Sequence, residues 1–434
     1  MKLRVLSISD VTERQLCTGC GVCAAVELER FRMADAPNFG RRPFLREGAA
    51  AETGAALRAC PGASLEHTFD RGDAELDRSL MDAWGPVLEV WEGYAADRAI
   101  RHRGSSGGAA TALALYCLER EGMSGVLHTA AREDVPYSNQ TVMSRSREEL
   151  LARTGSRYAP ASPGEGLHRI EEASAPCVFI GKPCDVAGVQ ATRKERPQLD
   201  AKLGLTVAFF CAGTPSTRGT LELLKSEGVE DPSSVRSLRY RGNGWPGRWT
   251  VEYEGASGEM RTESLSYEES WGFLQRYRQW RCYICPDHTG EFADIAVGDP
   301  WYRPAEPGEP GRSLLVARTR RGREILHAAA RAGYIQLETK DATLLPRSQP
   351  NLLETRGSLW GRLVVLRLLG AAVPQYRGFP TFRYWERELN LTAKVKSFTG
   401  TARRVLRKGL WKRAVVREAK AEVEGNPGRA ANLS

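Results

Sequence analysis

Short apolar runs alternate with amphipathic segments along the middle of the chain. Five runs have the length and composition of buried strands, at 87–94, 125–129, 177–180, 205–210 and 294–297. Segments with apolar residues at helical spacing lie between them, at 109–121, 148–153 and 218–227. Because strands alternate with helices, the pattern predicts an α/β fold, with α+β character in mixed sheets.

The ends of the chain differ from this central pattern. Residues 1–75 are rich in loops and punctuated by cysteines, whereas the chain after about residue 350 becomes helical and then basic. A further stretch of strand character, 235–265, lies inside the central region. We therefore predict three parts: a small N-terminal module at 1–78, a larger body at 79–390 and a helical basic tail at 391–434.

The net charge comes from the tail. The 434 residues include 62 Lys and Arg against 53 Asp and Glu, a formal charge of +9. Ten basic residues and one acidic residue lie between Lys394 and Lys420, and they account for the whole surplus. The rest of the chain offers no net field to attract phosphates, so we expect no nucleic-acid partner.

Apolar residues interleave with the basic ones in the tail, over 398–416, which predicts a basic amphipathic helix. A solvated extension is one interpretation of this segment. Docking on an anionic membrane face or on an acidic electron-transfer partner is the other, and it makes peripheral membrane contact through the tail an expectation to test.

The cysteine content indicates metal or redox chemistry. No apolar stretch reaches the roughly 18 residues of a membrane helix, and the N-terminus has no apolar signal core, so we expect a cytoplasmic protein. Thiols stay reduced in that compartment. Ten cysteines are therefore expected to serve as metal ligands or redox groups rather than disulfides.

The first cysteine set is Cys17, Cys20 and Cys23, followed by Cys60 in a Cys-Pro pair. Two residues between successive cysteines let one loop present three thiolates to one centre, the spacing of bacterial ferredoxins. We predict one 4Fe–4S cluster here, in a ferredoxin-like module. Structural zinc is the competitor, although zinc usually takes a second paired hook, and four unligated thiols are the third interpretation.

The second set begins with the hook Cys282 and Cys285, again followed by proline. Cys184 and Cys211 each follow a predicted strand, and ligands bind at the carboxyl edge of open α/β sheets. Both are therefore candidates to complete the hook. The remaining two cysteines, Cys117 in a helical run and Cys177 at the start of a strand, are interpreted as core residues.

A glycine-rich turn, 104–108, precedes the predicted helix at 109–121. Free backbone N–H groups and the positive helix end make such a turn suitable for a phosphate of a nucleotide or a flavin. It is neither a Walker motif nor GxGxxG. A helix N-cap made by Ser105 or Ser106 is the alternative interpretation.

Taken together, these motifs resemble the coenzyme F(420) hydrogenase/dehydrogenase beta-subunit family. The resemblance covers about 15–390 and rests on CTGCGVC at 17–23, RGSSGGAATAL at 103–113, FIGKPCDVAG at 179–188, FFCAGTPS at 209–216 and CYICPDHTGEFADIAVGDPW at 282–301, with TGSRYAP at 154–160. The chain is most similar to stand-alone members with an N-terminal ferredoxin-like module. That layout is shared by plant-type hydroxymethyl chlorophyll reductases and by members found among polysaccharide-synthesis genes.

The resemblance implies FAD and two 4Fe–4S clusters. By position, Ser105, Ser106, Gly107 and Gly108 would hold the flavin phosphates or ribityl chain, Gly181, Lys182 and Pro183 would lie near its ring, and Ser156 and Tyr158 are further flavin-site residues. Cys184, Cys211, Cys282 and Cys285 would bind the body cluster. Ala212 follows Cys211, where a histidine is common in the family. Cys177 is therefore the alternative to Cys211 as a ligand of this cluster.

The resemblance also gives candidate roles. Lys182 is the candidate catalytic residue, because a cation near the flavin would stabilise its reduced, anionic form. Asp287, His288 and Asp299 flank the second hook, as proton relays or, on the plainer interpretation, as structural caps.

The resulting hypothesis is an iron–sulfur flavoprotein oxidoreductase that passes electrons between the clusters and FAD. Ferredoxin or another redox partner would serve the clusters, and hydride would pass to or from a small-molecule substrate, with the deazaflavin coenzyme F(420) as one candidate. The alternative is a non-catalytic electron-transfer subunit of a larger complex, for example one tied to polysaccharide synthesis. A zinc-bearing binding protein is a third hypothesis.

Overall fold

The computed structural model describes residues 5–49, 51–306 and 308–419. The N-terminal module is built from short elements joined by loops, in the order α1 Ile8–Glu13, α2 Val22–Val26, β1 Phe31–Ala36, β2 Gly40–Leu45, α3 Ala55–Arg58 and β3 Ser64–Glu66. Strands β1 and β2 form an antiparallel pair in which Met33 faces Pro43. This part of the chain is loop-rich, as the sequence predicts.

The strands that follow form the sheets of the body, except the last, Gln375–Arg377, which pairs in parallel with β3 of the module. They are β4 Glu89–Ala95, β5 Gly125–Ala131, β6 Asn139–Ser144, β7 Cys177–Gly181, β8 Leu203–Phe209, β9 Val235–Arg239, β10 Arg248–Glu254, β11 Met260–Ser266, β12 Ile295–Gly298, β13 Ser313–Ala317, β14 Ile335–Lys340 and β15 Gln375–Arg377. The runs predicted from the sequence correspond to β4, β5, β7, β8 and β12, with ends that move by one to two residues.

The α-helices over the same range are α4 Met81–Trp84, α5 Arg98–Arg103, α6 Ala109–Glu119, α7 Arg147–Ala152, α8 His168–Glu171, α9 Pro183–Arg193, α10 Pro197–Lys202, α11 Thr217–Ser226, α12 Tyr267–Leu274, α13 Arg320–Arg331, α14 Leu344–Ser348, α15 Pro350–Gly357, α16 Leu359–Leu368, α17 Thr381–Glu388 and α18 Leu391–Lys408. Short 3₁₀ turns lie at Pro163–Gly166, Pro232–Ser234, Gln275–Tyr277 and Trp280–Ile284.

An eight-stranded mixed sheet organises the body, in the order β14-β4-β13-β12-β8-β7-β5-β6. Strands β12, β8, β7 and β5 are parallel, with Phe179 opposite Thr206 and Val207 opposite Ile295, and the outer strands pair antiparallel. The four parallel strands therefore end at one edge, where α/β proteins bind ligands. The α/β prediction with mixed sheets is confirmed.

Helices cover both faces of this sheet. On one face α6 and α13 pack Leu113 and Ile325 against Val126 and Val207, and on the other α9 packs Val186 against Phe179. Each of these side chains is buried, and burying one such side chain stabilises the fold by roughly 1.5–3 kcal/mol. The region predicted at 235–265 forms a separate antiparallel sheet, β11-β10-β9.

Glu89 begins β4, the second strand of the sheet, and lies in a polar cluster. Its carboxylate accepts hydrogen bonds from Lys340 Nζ at 2.6 Å and Trp91 Nε1 at 2.8 Å, and lies 2.7 Å from His327 Nε2. Burial alone would raise the pKa of Glu89, but these hydrogen bonds outweigh burial and lower the pKa to about 2. The folded state therefore stabilises the ionised form of Glu89.

The tail packs along both other parts of the molecule. Helix α18 lies against α16, and Val405 and Leu410 join the apolar cluster that contains Ile8 and Val11 of the module. Beyond the helix, Arg413 Nη2 binds Asp10 Oδ1 at 2.5 Å. The last part of the predicted tail, 420–434, lies outside the described residues.

The bounds predicted for the tail helix were wrong. The amphipathic pattern covers 398–416, whereas α18 begins at Leu391, after the Asn390 N-cap, and ends at Lys408. Gly409 adopts a left-handed conformation, with φ of +61°, and stops the helix although apolar residues continue at helical spacing beyond it. In the part of the chain that the structure describes, no helix is both long and apolar enough to cross a bilayer.

Candidate functional site

A cavity of about 300 Å³ opens at the carboxyl edge of the parallel strands. The glycine-rich turn and the first residues of α6 form one wall, and Gly181 and Lys182, directly after β7, form another. The segment 210–215 after β8 and Asp299 after β12 close the remaining sides. The sequence-predicted residues Ser105, Ser106, Gly108, Ser156, Tyr158, Gly181 and Lys182 all line this cavity.

The glycine turn is held in a fixed conformation. Gly107 has φ of +66°, and a Cβ atom there would lie 2.9 Å from Arg312 Cα. Ser106 Oγ donates to the carbonyl oxygens of Gly298 at 3.1 Å and Arg312 at 2.9 Å, and Ser105 Oγ accepts from the Ser156 N–H at 2.8 Å. Both serines therefore tie the turn to its neighbours.

Among the residues that the structure describes, no side chain caps the amino end of α6. The residue before the helix is Gly108, also left-handed with φ of +67°, so the alternative of a Ser105 or Ser106 cap is wrong. Ala109, Ala110 and Thr111 of the first turn line the cavity. The positive end of an uncapped helix of 11 residues thus faces the space where a ligand would lie.

The charged side chains around the cavity leave a positive surplus. They are Arg153, Arg157, Lys182, Asp185, Arg241 and Asp299. Lys182 pairs with Asp185 at 2.6 Å, and Arg241 pairs with Asp299. The hydrogen bonds of Arg153 and Arg157 go to uncharged carbonyl, hydroxyl and amide oxygens. The positive charges of Arg153 and Arg157 are therefore available to compensate the negative charge of a bound anion.

Lys182 is a half-buried member of an ion pair. It is the residue before α9, and the Asp185 carboxylate accepts from the Lys182 N–H at 2.9 Å. Burial lowers the pKa of the Lys182 ammonium, but Asp185 and the Cys184 sulfur outweigh burial and raise it. Pro183 occupies the first helical position, is buried, and does not line the cavity.

Arg241 joins three walls of the site. Its two Nη atoms lie 2.8 Å from the two Asp299 oxygens, Nη2 donates to the Ser105 carbonyl at 2.7 Å and Nη1 to the Tyr158 hydroxyl at 3.3 Å. Trp245 Nε1 donates to the same Asp299 carboxylate at 2.8 Å. Arg241 is only 2% exposed, so this network fixes the glycine turn relative to the strand end.

The first cysteine set is gathered in the module. Cys17, Cys20, Cys23 and Cys60 are all buried and free of disulfides. Burial raises the pKa of the Cys60 thiol to about 12, with Cys17 adding to the rise, and burial and then Cys60 raise that of Cys20. The Gly19 N–H donates to Cys17 Sγ at 3.3 Å. Four thiols within electrostatic reach of one another are the kind of donor set that an iron–sulfur cluster uses.

The second set is gathered beside the cavity. Burial raises the pKa of Cys211 to about 12, with Cys282 adding to the rise, and Cys184 lies within electrostatic reach of Cys211 and Cys285. The Thr214 N–H donates to Cys282 Sγ at 3.4 Å. Cys211 also lines the cavity, so the proposed cluster and ligand positions share a wall.

The two other cysteines lie elsewhere. Cys117 is fully buried among the apolar residues of α6. Cys177 is at the amino end of β7, with its sulfur 3.4 Å from Ser124 Oγ, on the opposite edge of the sheet from Cys184. Both core interpretations agree with this placement, and Cys177 is not positioned to replace Cys211. Among the described residues, no group of three or more His, Cys, Asp and Glu side chains has the geometry to hold a metal ion.

The acidic and histidine residues near the second hook are structural in this arrangement. Asp287 is buried and accepts three backbone N–H groups, from Thr289, Gly290 and Glu291, at 2.8–3.0 Å. His288 Nδ1 lies 2.9 Å from the Cys211 carbonyl oxygen, and burial lowers the pKa of His288 to about 4. Both residues shape the loop that follows Cys285.

Two models of one protein family match the central part of the chain. The N-terminal model of the coenzyme F(420) hydrogenase/dehydrogenase beta subunit matches residues 90–167, and the C-terminal model matches residues 176–343. The chain belongs to this beta-subunit family. The matched residues include the glycine turn, Lys182 and the four cysteines of the body, while the first cysteine set lies outside them. The predicted resemblance is confirmed.

Relatives of known activity are distant in sequence. The beta subunit of F(420)-dependent formate dehydrogenase 1 from Methanococcus maripaludis is 24% identical over 307 residues, 70% of this chain and 74% of that protein. The coenzyme F(420) hydrogenase subunit beta of Methanosarcina barkeri is 26% identical over 259 residues, 58% of this chain and 82% of that protein. These relatives support an oxidoreductase with an electron-transfer role.

A solved structure shares the fold. A chain of the F(420)-reducing NiFe hydrogenase complex from Methanosarcina barkeri, in a xenon derivative, superposes with a TM-score of 0.50 at 20% identity. The match covers 65% of this chain and 94% of that chain. The α/β body is therefore a known architecture.

Sequence reasoning missed the basic residues of the site. Arg153 is the residue directly after α7, Arg157 lies in the loop that follows, and Arg241 lies two residues after β9 of the small sheet. None of them belongs to a glycine or cysteine motif, and an arginine in a loop is usually exposed. The only signal was the TGSRYAP segment, which contains Arg157 but was used for Ser156 and Tyr158.

Proposed function

We propose that the protein is an iron–sulfur flavoprotein oxidoreductase that moves electrons between two 4Fe–4S clusters and FAD and exchanges hydride with a substrate. The observation that carries this proposal is the shared wall between the cavity and the second cysteine set, at Cys211. An enzyme that converts hydride transfer into single-electron transfer needs its flavin and its cluster side by side.

The cavity suits the anionic part of FAD. The uncapped end of α6 and the charges of Arg153 and Arg157 favour the diphosphate, and the glycines of the turn let the backbone approach it. Bound FAD would supply two-electron hydride chemistry. The chain's own part is to fix the turn through Arg241 and to hold Lys182 at the wall through Asp185.

The two cysteine sets suit two clusters. Cys17, Cys20, Cys23 and Cys60 would hold one in the module, and Cys184, Cys211, Cys282 and Cys285 the other in the body. Apolar surroundings exclude water from the first set, which packs with Leu16 and Phe31. A redox partner such as ferredoxin would exchange electrons at the module, and coenzyme F(420) is the first substrate candidate, because it is named in the relatives.

The test is anaerobic purification, reconstitution with iron and sulfide, and extraction of cofactors. The proposal requires FAD together with iron and labile sulfide sufficient for two clusters. The reduced protein is then mixed with coenzyme F(420), a tetrapyrrole and a nucleotide sugar, and reoxidation is followed optically. A protein that neither contains nor binds flavin would refute the proposal, and zinc without labile sulfide would support a zinc protein instead.

A second candidate is a non-catalytic electron-transfer subunit of a larger complex. The relatives are beta subunits by name, which favours it. This candidate predicts reduction and reoxidation of the clusters by a protein partner, with no reoxidation by any small molecule of the panel. Cycling with a small molecule alone would exclude it.

Helix α18 supports a docking role for the tail. It has no acidic residue, and its exposed face carries Leu391, Val395 and Leu406 among lysines and arginines. Such a face suits an anionic lipid surface. Replacing the exposed Leu391, Val395 and Leu406 by serine should reduce cosedimentation with anionic vesicles while cofactor content is retained, and unchanged cosedimentation would contradict the role.

A further inference from the structure

Arg281 lies at the junction of the two cysteine sets. It precedes Cys282 in the 3₁₀ turn Trp280–Ile284 and is 2% exposed. Its Nη2 donates to the carbonyl oxygen of Pro61, the residue after Cys60, at 3.0 Å. Its Nη1 donates to the carbonyl oxygen of Ile284, the residue before Cys285, at 3.2 Å. One guanidinium therefore joins the loop of each set.

The charge of Arg281 has no carboxylate partner among the described residues. Both of its hydrogen bonds go to carbonyl oxygens, its Nε is buried without a hydrogen-bond partner there, and the guanidinium lies 5.5 Å from the ring centre of Tyr376. A buried cation costs several kcal/mol unless an anion compensates it. The groups at hand to do so are the cysteine sulfurs.

The charge of Arg281 lies between the two cysteine sets. Its hydrogen bonds place the guanidinium at the peptide groups next to Cys285 and Cys60, because the accepting carbonyls belong to Ile284 and Pro61. Arg281 also directly precedes Cys282 in the same 3₁₀ turn. The position of this charge therefore relates it to two cysteines of the body and one of the module.

The geometry points to a shared role: we propose that Arg281 is the common counter-ion of the two cysteine sets and raises the reduction potential of the cluster in each. The inference rests on the proposed function, since it requires that both sets bind clusters. A cluster held by four thiolates is anionic and gains one negative charge when it accepts one electron. A fixed positive charge nearby stabilises the reduced form more than the oxidised form.

Arg281 also connects the module with the body. Its hydrogen bonds run from the Cys60-Pro61 loop to the Cys282–Cys285 loop, so the module and the body meet through it. Helix α9 adds a second contact, because its Val186 and Val189 pack with Cys20 and Val22 of the module. Both clusters would consequently sit close to one charge, and altering that charge should move both potentials together.

The experiment is a potentiometric titration of reconstituted full-length protein, followed by low-temperature EPR, in the wild type, Arg281→Gln and Arg281→Lys. The matched control is Arg318→Gln. Arg318 is 3% exposed and also donates to carbonyl and hydroxyl oxygens, but among the described residues its pKa is shifted by the charge of Asp287 and by no cysteine.

Arg281→Gln should lower both midpoint potentials, so that at fixed potential the reduced fraction relative to the oxidised fraction falls about tenfold, equivalent to 59 mV for one electron. Arg281→Lys keeps the positive charge, so both midpoint potentials should stay close to those of the wild type. Arg318→Gln should leave both potentials unchanged. Iron lost in Arg281→Gln but retained in Arg281→Lys would also support a counter-ion.

A shift of one potential alone, unchanged potentials, or equal iron loss in both Arg281 variants would overturn the proposal. Iron content of the wild type is measured first. A wild type that holds no cluster would refute the proposed function, which separates that failure from a failure of the counter-ion role.

Discussion

The pair Arg241 and Asp299 provides the sharpest mutational prediction for the cavity. The substitution is Asp299→Asn, which keeps the side-chain volume and removes the charge. Two N–O contacts of 2.8 Å and the Trp245 hydrogen bond, also of 2.8 Å, converge on this carboxylate. Asparagine can accept with only one of its two terminal atoms, so the buried guanidinium loses its counter-charge.

The magnitude follows from burial. Removing one partner of a buried ion pair costs roughly 3–5 kcal/mol, and the amide that remains favours the lower end, about 3 kcal/mol. The control is Asp134→Asn, where Arg132 Nε meets the carboxylate at 2.9 Å but the two side chains are 41% and 59% exposed. An exposed pair contributes roughly 1 kcal/mol or less.

The assay is urea denaturation of the cofactor-free chain at pH 7, followed by tryptophan fluorescence, together with FAD titration of the folded protein. Asp299→Asn should lower the free energy of unfolding by about 2 kcal/mol more than Asp134→Asn does. It should also weaken FAD binding, because Arg241 holds the Ser105 carbonyl. Equal urea midpoints for the two variants, with equal FAD affinity, would refute the assigned role of this pair.

Three further predictions address the turn, the cysteines and pH. Gly107→Ala should abolish FAD binding because its Cβ meets backbone, whereas Gly122→Ala, with similar φ but open space, should only cost stability; FAD titration distinguishes them. Cys60→Ser should lose about half of the bound iron and Cys117→Ser none, measured by iron assay after reconstitution. Glu89 has a lowered pKa, so its stabilisation is complete above the unfolded value and is lost as pH falls toward 2; urea midpoints of Glu89→Gln should therefore change less between pH 5 and pH 3 than those of the wild type.

The opposite results are equally clear. FAD bound by Gly107→Ala as tightly as by Gly122→Ala would contradict the close approach of the turn to its neighbours. Iron retained in Cys60→Ser would exclude that thiol as a ligand. Parallel pH profiles for Glu89→Gln and the wild type would show that the carboxylate carries no linked proton.

The positions of five strands of the large sheet and of the glycine turn were predictable from the sequence. Buried parallel strands give continuous apolar runs, and a glycine run before a helix marks a turn that needs positive φ at Gly107 and Gly108. The gathering of Cys184 and Cys211 with Cys282 followed from their places after strands that end at one edge. The position of Cys177 at the start of a strand indicated a core residue, and the family resemblance then assigned Cys184, Cys211, Cys282 and Cys285 to one cluster.

The charges of the site were not predictable in the same way. Arg241 is distant in sequence from Ser105 and Asp299, and only the tertiary fold brings the three together. Burial converts such loop arginines from solvated groups into fixed counter-charges, and no local pattern reports burial of a loop. The predicted end of the tail helix was wrong for a local reason, because Gly409 stops the helix although the amphipathic pattern continues past it.

The measurement that tests the central claim most directly is photoreduction of FAD-loaded, reconstituted protein from which free flavin has been removed, followed by low-temperature EPR. Electrons that enter at the flavin should produce the signal of a reduced 4Fe–4S cluster in the wild type, because the cavity and the second cysteine set share a wall at Cys211. The variant Cys282→Ser with Cys285→Ser should lose that transfer. Fully reduced flavin beside clusters that stay oxidised, although dithionite reduces them, would contradict the account.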